Sequence, residues 1–98
     1  MLFLFQYLVI YYDKSDEEIS SVYSQLVSDY KSKDDALSIY TVDMSSAFNK
    51  GFSTTDESNH NPTNASELLI NGPTLIHFSQ HSVTNYVEGE ENISNYLN

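Results

Sequence analysis

Two apolar segments on either side of one helical pattern limit the fold more than any other feature of this chain. Residues 1–12 are rich in β-branched and aromatic side chains and end at Asp13-Lys14-Ser15, as in a buried strand with lead-in residues. Residues 36–43 have the same character. Between them, apolar side chains recur every three or four positions from Ser15 to about Lys33. A strand, a helix and a strand in this order predict two parallel strands with a right-handed crossover.

The helical segment carries signals for its start and for its buried face. Ser15 as N-cap and Glu18 three residues later match a capping box. Asp16, Glu17 and Glu18 place negative charge at the positive end of the helix dipole, which explains them without a cation site. The predicted apolar face consists of Ile19, Val22, Tyr23, Leu26, Val27 and Tyr30.

The second half of the chain predicts a hairpin and a final helix. Residues 74–79 and 83–87 read as strands separated by a hairpin-length turn, and Ile93, Tyr96 and Leu97 give the last segment an apolar helical face. A short helix is expected over 45–51 and a helical turn over 65–69. The polar stretch 52–66 is a loop that is either functional or mobile. One α/β domain over residues 1–98 is therefore predicted, with order β-α-β then β-β-α and a four-stranded mixed sheet with flanking helices.

Composition excludes several kinds of function. The chain has no Cys, so disulfides, thiolate metal sites and cysteine nucleophiles are impossible. Fourteen acids against four Lys and Arg give a net charge of −10, which opposes binding to nucleic acids and to anionic membrane surfaces. The apolar N-terminus is too short to span a bilayer and lacks the features of a signal peptide. A cytoplasmic location is expected by default.

No pattern for a cofactor, a metal or a catalytic group stands out. His60, His77 and His81 are scattered and lack the spacing of metal ligands on one helix. Only three Gly are present and none are clustered, so no phosphate-binding loop is predicted. No nucleophile elbow surrounds any serine. We therefore expect no cofactor, no metal and no catalytic residues.

Segments along most of the chain resemble the thioredoxin-like family, and most of all its small bacterial members. They are Tyr7-Leu8-Val9-Ile10-Tyr11-Tyr12, Tyr40-Thr41-Val42-Asp43, and Gly72-Pro73-Thr74-Leu75 with Tyr86-Val87-Glu88-Gly89 and the closing helix. The resemblance implies a thioredoxin-like fold with the β-α-β, β-β-α order. It also implies a cis peptide bond between Gly72 and Pro73, beside the turn that holds the family's active site.

The resemblance ends where the family's chemistry begins. Thioredoxins carry Cys-x-x-Cys at the start of the first long helix, where the helix dipole lowers the pKa of the first thiol. Here Asp16 and Ile19 stand at the two cysteine positions. A carboxylate cannot form or exchange a disulfide, so no thiol–disulfide oxidoreductase activity is expected.

What the resemblance leaves is a face that binds a peptide in the family. The favoured hypothesis is a redox-inactive module that binds a protein or peptide through Asp13, Ser15, Asp16, Gly72, Pro73 and Thr74. The backbone of residues 69–74 either offers an edge to that peptide or only shapes the end of the sheet. Tyr11, Tyr12, Phe48 and Phe52 are expected near this face, as interface anchors or as ordinary packing.

Two other functions remain open at this point. One is a non-thiol enzyme or small-ligand binder that uses the helix N-terminus near Asp16. The other is a self-associating accessory module, so the chain is expected to be a monomer or a homodimer.

Overall fold

Six regular elements form the described part of the chain, which in this computed structural model comprises residues 5–46, 58, 62–64, 67–80 and 82–98. They are strand β1 (Gln6–Tyr12), helix α1 (Glu17–Lys31), strand β2 (Ser38–Asp43), strand β3 (Thr74–Ser79), strand β4 (Ser82–Glu88) and helix α2 (Glu90–Leu97). The predicted element order is confirmed. The expected short helix over 45–51 and most of the 52–66 stretch lie outside the described residues.

The four strands form one mixed sheet in the order β2-β1-β3-β4, which confirms the predicted sheet. β1 runs parallel to β2, because the intervening helix returns the chain to the same end of the sheet. β3 is antiparallel to both β1 and β4. β1 and β3 are thus interior strands, whereas β2 and β4 lie at the edges of the sheet.

Apolar side chains cover both faces of the sheet, because successive residues of a strand point to opposite sides. The helices pack on one face, where the buried cluster consists of Leu8, Ile10, Tyr12, Tyr23, Ile39, Leu75, Ile93 and Leu97. The other face is covered by the segment that precedes β3, and its cluster consists of Val9, Tyr11, Leu68, Ile70, Ile76 and Phe78. The nearly continuous apolar run of β1 reflects burial on both sides.

The N-cap of α1 is Asp16, so the prediction of Ser15 was wrong. The Asp16 carboxylate accepts the backbone N–H groups of Glu18 at 3.1 Å and Ile19 at 3.2 Å. Ser15 is engaged elsewhere, since both its N–H and its hydroxyl donate to the Asp13 carboxylate. Ser15 and Asp16 are both residue types that commonly cap helices. Because Ser15 is engaged in the turn at Asp13, Asp16 is the residue that caps α1.

Two residues predicted on apolar helix faces lie at the margin of the core. Val22 is 37% exposed and Tyr96 is 39% exposed. The Tyr96 hydroxyl lies 3.0 Å from His77 Nδ1, so its ring edge serves a polar contact at the sheet surface. The remaining predicted positions of α1 pack into or against the helix-covered cluster.

Candidate functional site

A cleft of about 300 Å³ lies where β1 leads into α1 and where the chain enters β3. Its lining comes from the end of β1, the first turn of α1, the residue after β2 and the approach to β3. The lining residues are Tyr12, Asp13, Ile19, Met44, Ile70, Asn71, Gly72 and Pro73. The fold therefore brings together, at one end of the sheet, segments that are far apart in the sequence.

The predicted binding face is only partly assembled in this cleft. Asp13, Gly72 and Pro73 line it. Ser15 and Asp16 are exposed nearby in the sequence but are not among the lining residues. Thr74 has 0% exposure, so its side chain presents no surface to a partner.

The backbone of Thr74, the last of residues 69–74, is not at a free strand edge. Thr74 opens β3, where it pairs with Tyr11 of β1 on one side and with Glu88 of β4 on the other. Its hydroxyl donates to the carbonyl oxygen of Gly72 at 3.0 Å. Since both of its neighbours in the sheet are already present, no peptide strand can pair at this residue.

The Gly72–Pro73 peptide bond is trans, as are the other described peptide bonds, so the expected cis bond is wrong. The trans form of such a bond is intrinsically favoured by about 0.5–1 kcal/mol. In this conformation the carbonyl oxygen of Pro73 accepts the N–H of Gly89 at 3.0 Å. That contact continues the pairing of β3 with β4 past Thr74, and Pro73 leads directly into the sheet.

The two positions that match the family's cysteines have separate structural roles. Asp16 caps α1 with its own carboxylate, and the N–H groups of Glu18 and Ile19 are thereby occupied. An anion placed at this helix terminus would have to displace that carboxylate. Ile19 lines the cleft and packs against the helix-covered core cluster. The alternative of a small ligand bound at the N-terminus of α1 thus gains no specific support from the geometry.

The chemistry of the cleft is that of an apolar surface with a carboxylate beside it. Asp13 is the one carboxylate among the described lining residues, and its oxygen accepts the N–H of Ser15 at 2.9 Å. No serine, lysine or histidine stands beside it in this lining to form a nucleophile–base pair. The site is suited to holding an apolar group.

The sequence prediction did not name three of the lining residues, which are Met44, Ile70 and Asn71. Met44 follows β2 directly, and its N–H donates to the carbonyl of Tyr12 at 2.9 Å, continuing the parallel pairing of β1 with β2. That pairing is the signal that places residue 44 beside the end of β1. Ile70 has no comparable local signal, because it is brought to the cleft by the packing of residues 68–70 on the second sheet face.

Of the expected aromatic anchors and histidines, the structure describes Tyr11, Tyr12 and His77, and of these Tyr12 lines the cleft. Tyr11 and Tyr12 are buried and belong to the two core clusters, while Phe48 and Phe52 lie outside the described residues. His77 contacts the Tyr96 hydroxyl and, at 2.8 Å, Gln6 Oε1.

The described ranges of the chain contain neither a metal-binding cluster nor a helix suited to crossing a bilayer. His60 and His81 lie outside those ranges. Within the ranges, no group of three His, Asp or Glu is arranged to hold a metal ion. Likewise, none of the helices described has the length and apolar character needed to cross a bilayer.

Comparison of the chain with protein-family models, with curated proteins and with solved structures found no match. The resemblance to thioredoxins therefore depends on the sequence segments quoted above, and no activity is carried over from a relative.

Proposed function

We propose that this chain is a redox-inactive, thioredoxin-like binding module whose ligand is an apolar side chain of a protein or peptide partner. The observation that carries the proposal is the cleft at the end of β1. Five of its lining residues present apolar surface: Tyr12, Ile19, Met44, Ile70 and Pro73. They come from separate parts of the chain, so the cleft depends on the folded state.

The size of the cleft suits one side chain. Small-molecule sites usually occupy about 300–1,000 Å³, and this cleft of about 300 Å³ is at the lower limit of that range. Full burial of a Leu or Phe side chain is worth about 1.5–3 kcal/mol. One inserted residue therefore gives weak binding, and neighbouring contacts must add to it.

Charge selects the residues that flank the inserted side chain. Asp13 lines the cleft, and the exposed acids Asp16, Glu17 and Glu18 follow it at the start of α1. The chain as a whole carries a net charge of −10. A partner segment with Lys or Arg beside its apolar residue would be attracted during encounter, and an acidic segment would be repelled.

The fold supports the thioredoxin-like part of the proposal, and the proline region modifies it. The β-α-β then β-β-α order and the mixed sheet are those that the resemblance implies. The trans Gly72–Pro73 bond and the interior position of Thr74 remove the backbone pairing used by the family. Recognition is therefore proposed to proceed through side-chain insertion instead of addition of a strand.

The test is an NMR titration of the ¹⁵N-labelled chain with three short peptides. The first carries a Leu between lysines, the second replaces that Leu by Ser, and the third replaces the lysines by glutamates. We expect saturable shifts of the Asp13, Ile19 and Gly72 amides with the first peptide only. Equal responses to the Leu and Ser peptides, or shifts confined to the distant ends of β2 and α2, would contradict the proposal.

A pair of matched substitutions separates the cleft from general surface hydrophobicity. Met44→Gln adds polarity at a half-buried lining residue, whereas Leu69→Gln does so at a residue that is 45% exposed and absent from the lining. Met44→Gln should weaken binding of the Leu peptide, and Leu69→Gln should leave it unchanged. The reverse ranking would place the binding surface elsewhere.

A further inference from the structure

A second groove, of about 430 Å³, lies on the helix-covered side of the sheet between α1 and the edge strand β2. It is lined by Tyr12, Lys14, Ser24, Val27, Ser28, Lys31, Ile39 and Thr41. The described lining thus holds two of the chain's four lysines and no carboxylate, although acids outnumber Lys and Arg by 14 to 4. Both charged side chains in this described lining are therefore cations.

The helix side of the groove follows from the spacing of its polar residues. Ser24, Ser28 and Lys31 stand four and three positions apart, so they follow one flank of α1 beside Val27. The side chains of Ser24 and Ser28 are short, so they fill less of the space between α1 and β2 than large apolar side chains would. The helix therefore leaves a polar channel over β2 in place of a dry contact.

The strand side presents a hydroxyl and an anchored ammonium group. Thr41 points to the same face of β2 as Ile39, two residues away. Lys14 Nζ donates to Thr41 Oγ1 at 2.7 Å and lies 5.7 Å from the centre of the Tyr12 ring. These two contacts hold the Lys14 ammonium group at the groove, with donor capacity remaining because an ammonium has three N–H bonds.

The second ammonium group, that of Lys31, has no partner in the described part of the chain. Lys31 makes no hydrogen bond and no ion pair with any residue that the structure describes. By contrast, Lys33 Nζ donates to the backbone carbonyls of Leu97 and Asn98 and serves to join the end of α1 to the end of α2. Two acids border the strand side of the groove without being part of its described lining. Asp13 lies between Tyr12 and Lys14 in the sequence, and the Asp43 carboxylate accepts the backbone N–H of Lys14 and attracts its ammonium group.

We propose that this groove binds a phosphate group, either as inorganic phosphate or as the end of a small phosphate monoester. A phosphate dianion offers several acceptor oxygens. The groove offers two ammonium groups and the aliphatic hydroxyls of Ser24, Ser28 and Thr41 that can donate to them. The apolar lining of Tyr12, Val27 and Ile39 leaves room for the small organic part of a monoester. The site shares only Tyr12 with the apolar cleft and does not depend on the function proposed for that cleft.

The proposal is tested by NMR titration of the full ¹⁵N-labelled chain with sodium phosphate and with glycerol 3-phosphate. Sodium chloride and sodium acetate at matched ionic strength serve as controls. We expect saturable shifts at the Ser24, Ser28, Lys31 and Thr41 amides in both phosphate titrations. Tighter binding of glycerol 3-phosphate identifies a monoester site, and equal binding identifies the phosphate group itself as the ligand. Shifts that match those in chloride or acetate overturn the proposal.

Two pairs of variants locate the site. Lys31→Gln should weaken phosphate binding by about threefold to tenfold, because one charged donor is lost from a partly exposed site. Lys33→Gln removes the same charge two residues away and should have the smaller effect. Ser28→Ala should also weaken binding without a change in charge, while Ser21→Ala on the exposed side of α1 should not. Unchanged affinity in both Lys31→Gln and Ser28→Ala overturns the proposal, and the amide spectra report whether each variant is folded.

Discussion

The ring of Tyr23 stacks on the ring of Tyr12, with centroids 5.0 Å apart, where α1 packs against β1. Tyr23 is 1% exposed, and its hydroxyl has no hydrogen-bond partner among the described residues. The stacking places the ring deep in the helix-covered cluster, and the hydroxyl is buried with it. An unsatisfied buried polar group of this kind costs about 1–3 kcal/mol.

Replacement of Tyr23 by Phe should therefore stabilise the protein. The ring contact with Tyr12 is kept and the unsatisfied hydroxyl is removed, so we expect the free energy of unfolding to rise by about 1 kcal/mol. Urea denaturation at neutral pH measures it. Tyr30→Phe is the matched control, because the Tyr30 hydroxyl accepts the N–H of Leu37 at 2.8 Å. That variant should lose about 1 kcal/mol. A loss of similar size in both variants would mean that the Tyr23 hydroxyl has a partner.

Stability should decrease at alkaline pH because two buried tyrosines resist ionisation. Burial raises the pKa of Tyr23 to about 12, with a contribution from the Glu90 carboxylate, and burial raises the pKa of Tyr11 to about 12, with a contribution from Tyr7. In the unfolded chain both titrate near pH 10. Above that pH the unfolded state binds fewer protons than the folded state, so stability falls as pH rises from about 10 towards about 12.

The dependence on pH is measured by urea denaturation at several values between about pH 9 and about pH 11. Each buried tyrosine steepens the decline of unfolding free energy by up to about 1.4 kcal/mol per pH unit. Tyr23→Phe should make the decline shallower, because only the Tyr11 contribution is left of the two. A decline that runs parallel in the variant and in the original chain would contradict the assignment to Tyr23.

The start of α1 should be sensitive to Asp16 and tolerant of change at Ser15. Asp16→Ala removes the acceptor for the N–H groups of Glu18 and Ile19, and we expect a loss of about 1 kcal/mol in unfolding free energy. Ser15→Ala removes only a contact with Asp13 at the exposed turn, so its cost should be within about 0.5 kcal/mol. A larger loss of unfolding free energy in Ser15→Ala than in Asp16→Ala would contradict Asp16 as the N-cap and would support the Ser15 capping box predicted from the sequence.

Gly89 and Gly72 should respond differently to the addition of a methyl group. Gly89 joins β4 to α2 and has φ 92° and ψ 148°. This backbone conformation is strongly disfavoured for residues that have a Cβ. We expect Gly89→Ala to cost about 1–3 kcal/mol. Gly72 is not in the positive-φ region, and a Cβ built there meets no atom within 4 Å. Gly72→Ala should change unfolding free energy by less than about 0.5 kcal/mol, and a comparable cost at both glycines would contradict the backbone assignment.

Local periodicity was sufficient to predict the elements. Residues 74–79 combine β-branched and aromatic content with polar flanking residues, and strand β3 has these bounds. The apolar run that ends at Tyr12 likewise marked β1, which also ends at Tyr12. The change to a spacing of three and four after Ser15 marked α1 in the same way. These signals are local because the side chains of one element share one surface, and the residues that form that surface are close in sequence.

The errors lie where neighbouring elements decide the outcome. Ser15 and Asp16 are both cap-forming residues, and the turn at Asp13 engages the first and leaves the second to cap the helix. The sequence left open whether residues 69–74 offer a free edge, and strands on both sides pair with Thr74. The Gly72–Pro73 bond was expected to be cis from resemblance alone, and pairing of Pro73 with Gly89 accompanies the trans form.

The sequence by itself determined the class of the fold, the absence of thiol chemistry and the acidity of the surface, because residue identity and spacing suffice for each. The tertiary structure decided which residues meet. Ile19, Met44 and Ile70 line one cleft, and Ser28, Lys31 and Thr41 line another, only because parallel pairing of β1 with β2 and packing of α1 on the sheet bring separate segments together. Contacts between such segments depend on strand order and helix placement, which no local pattern of side chains encodes.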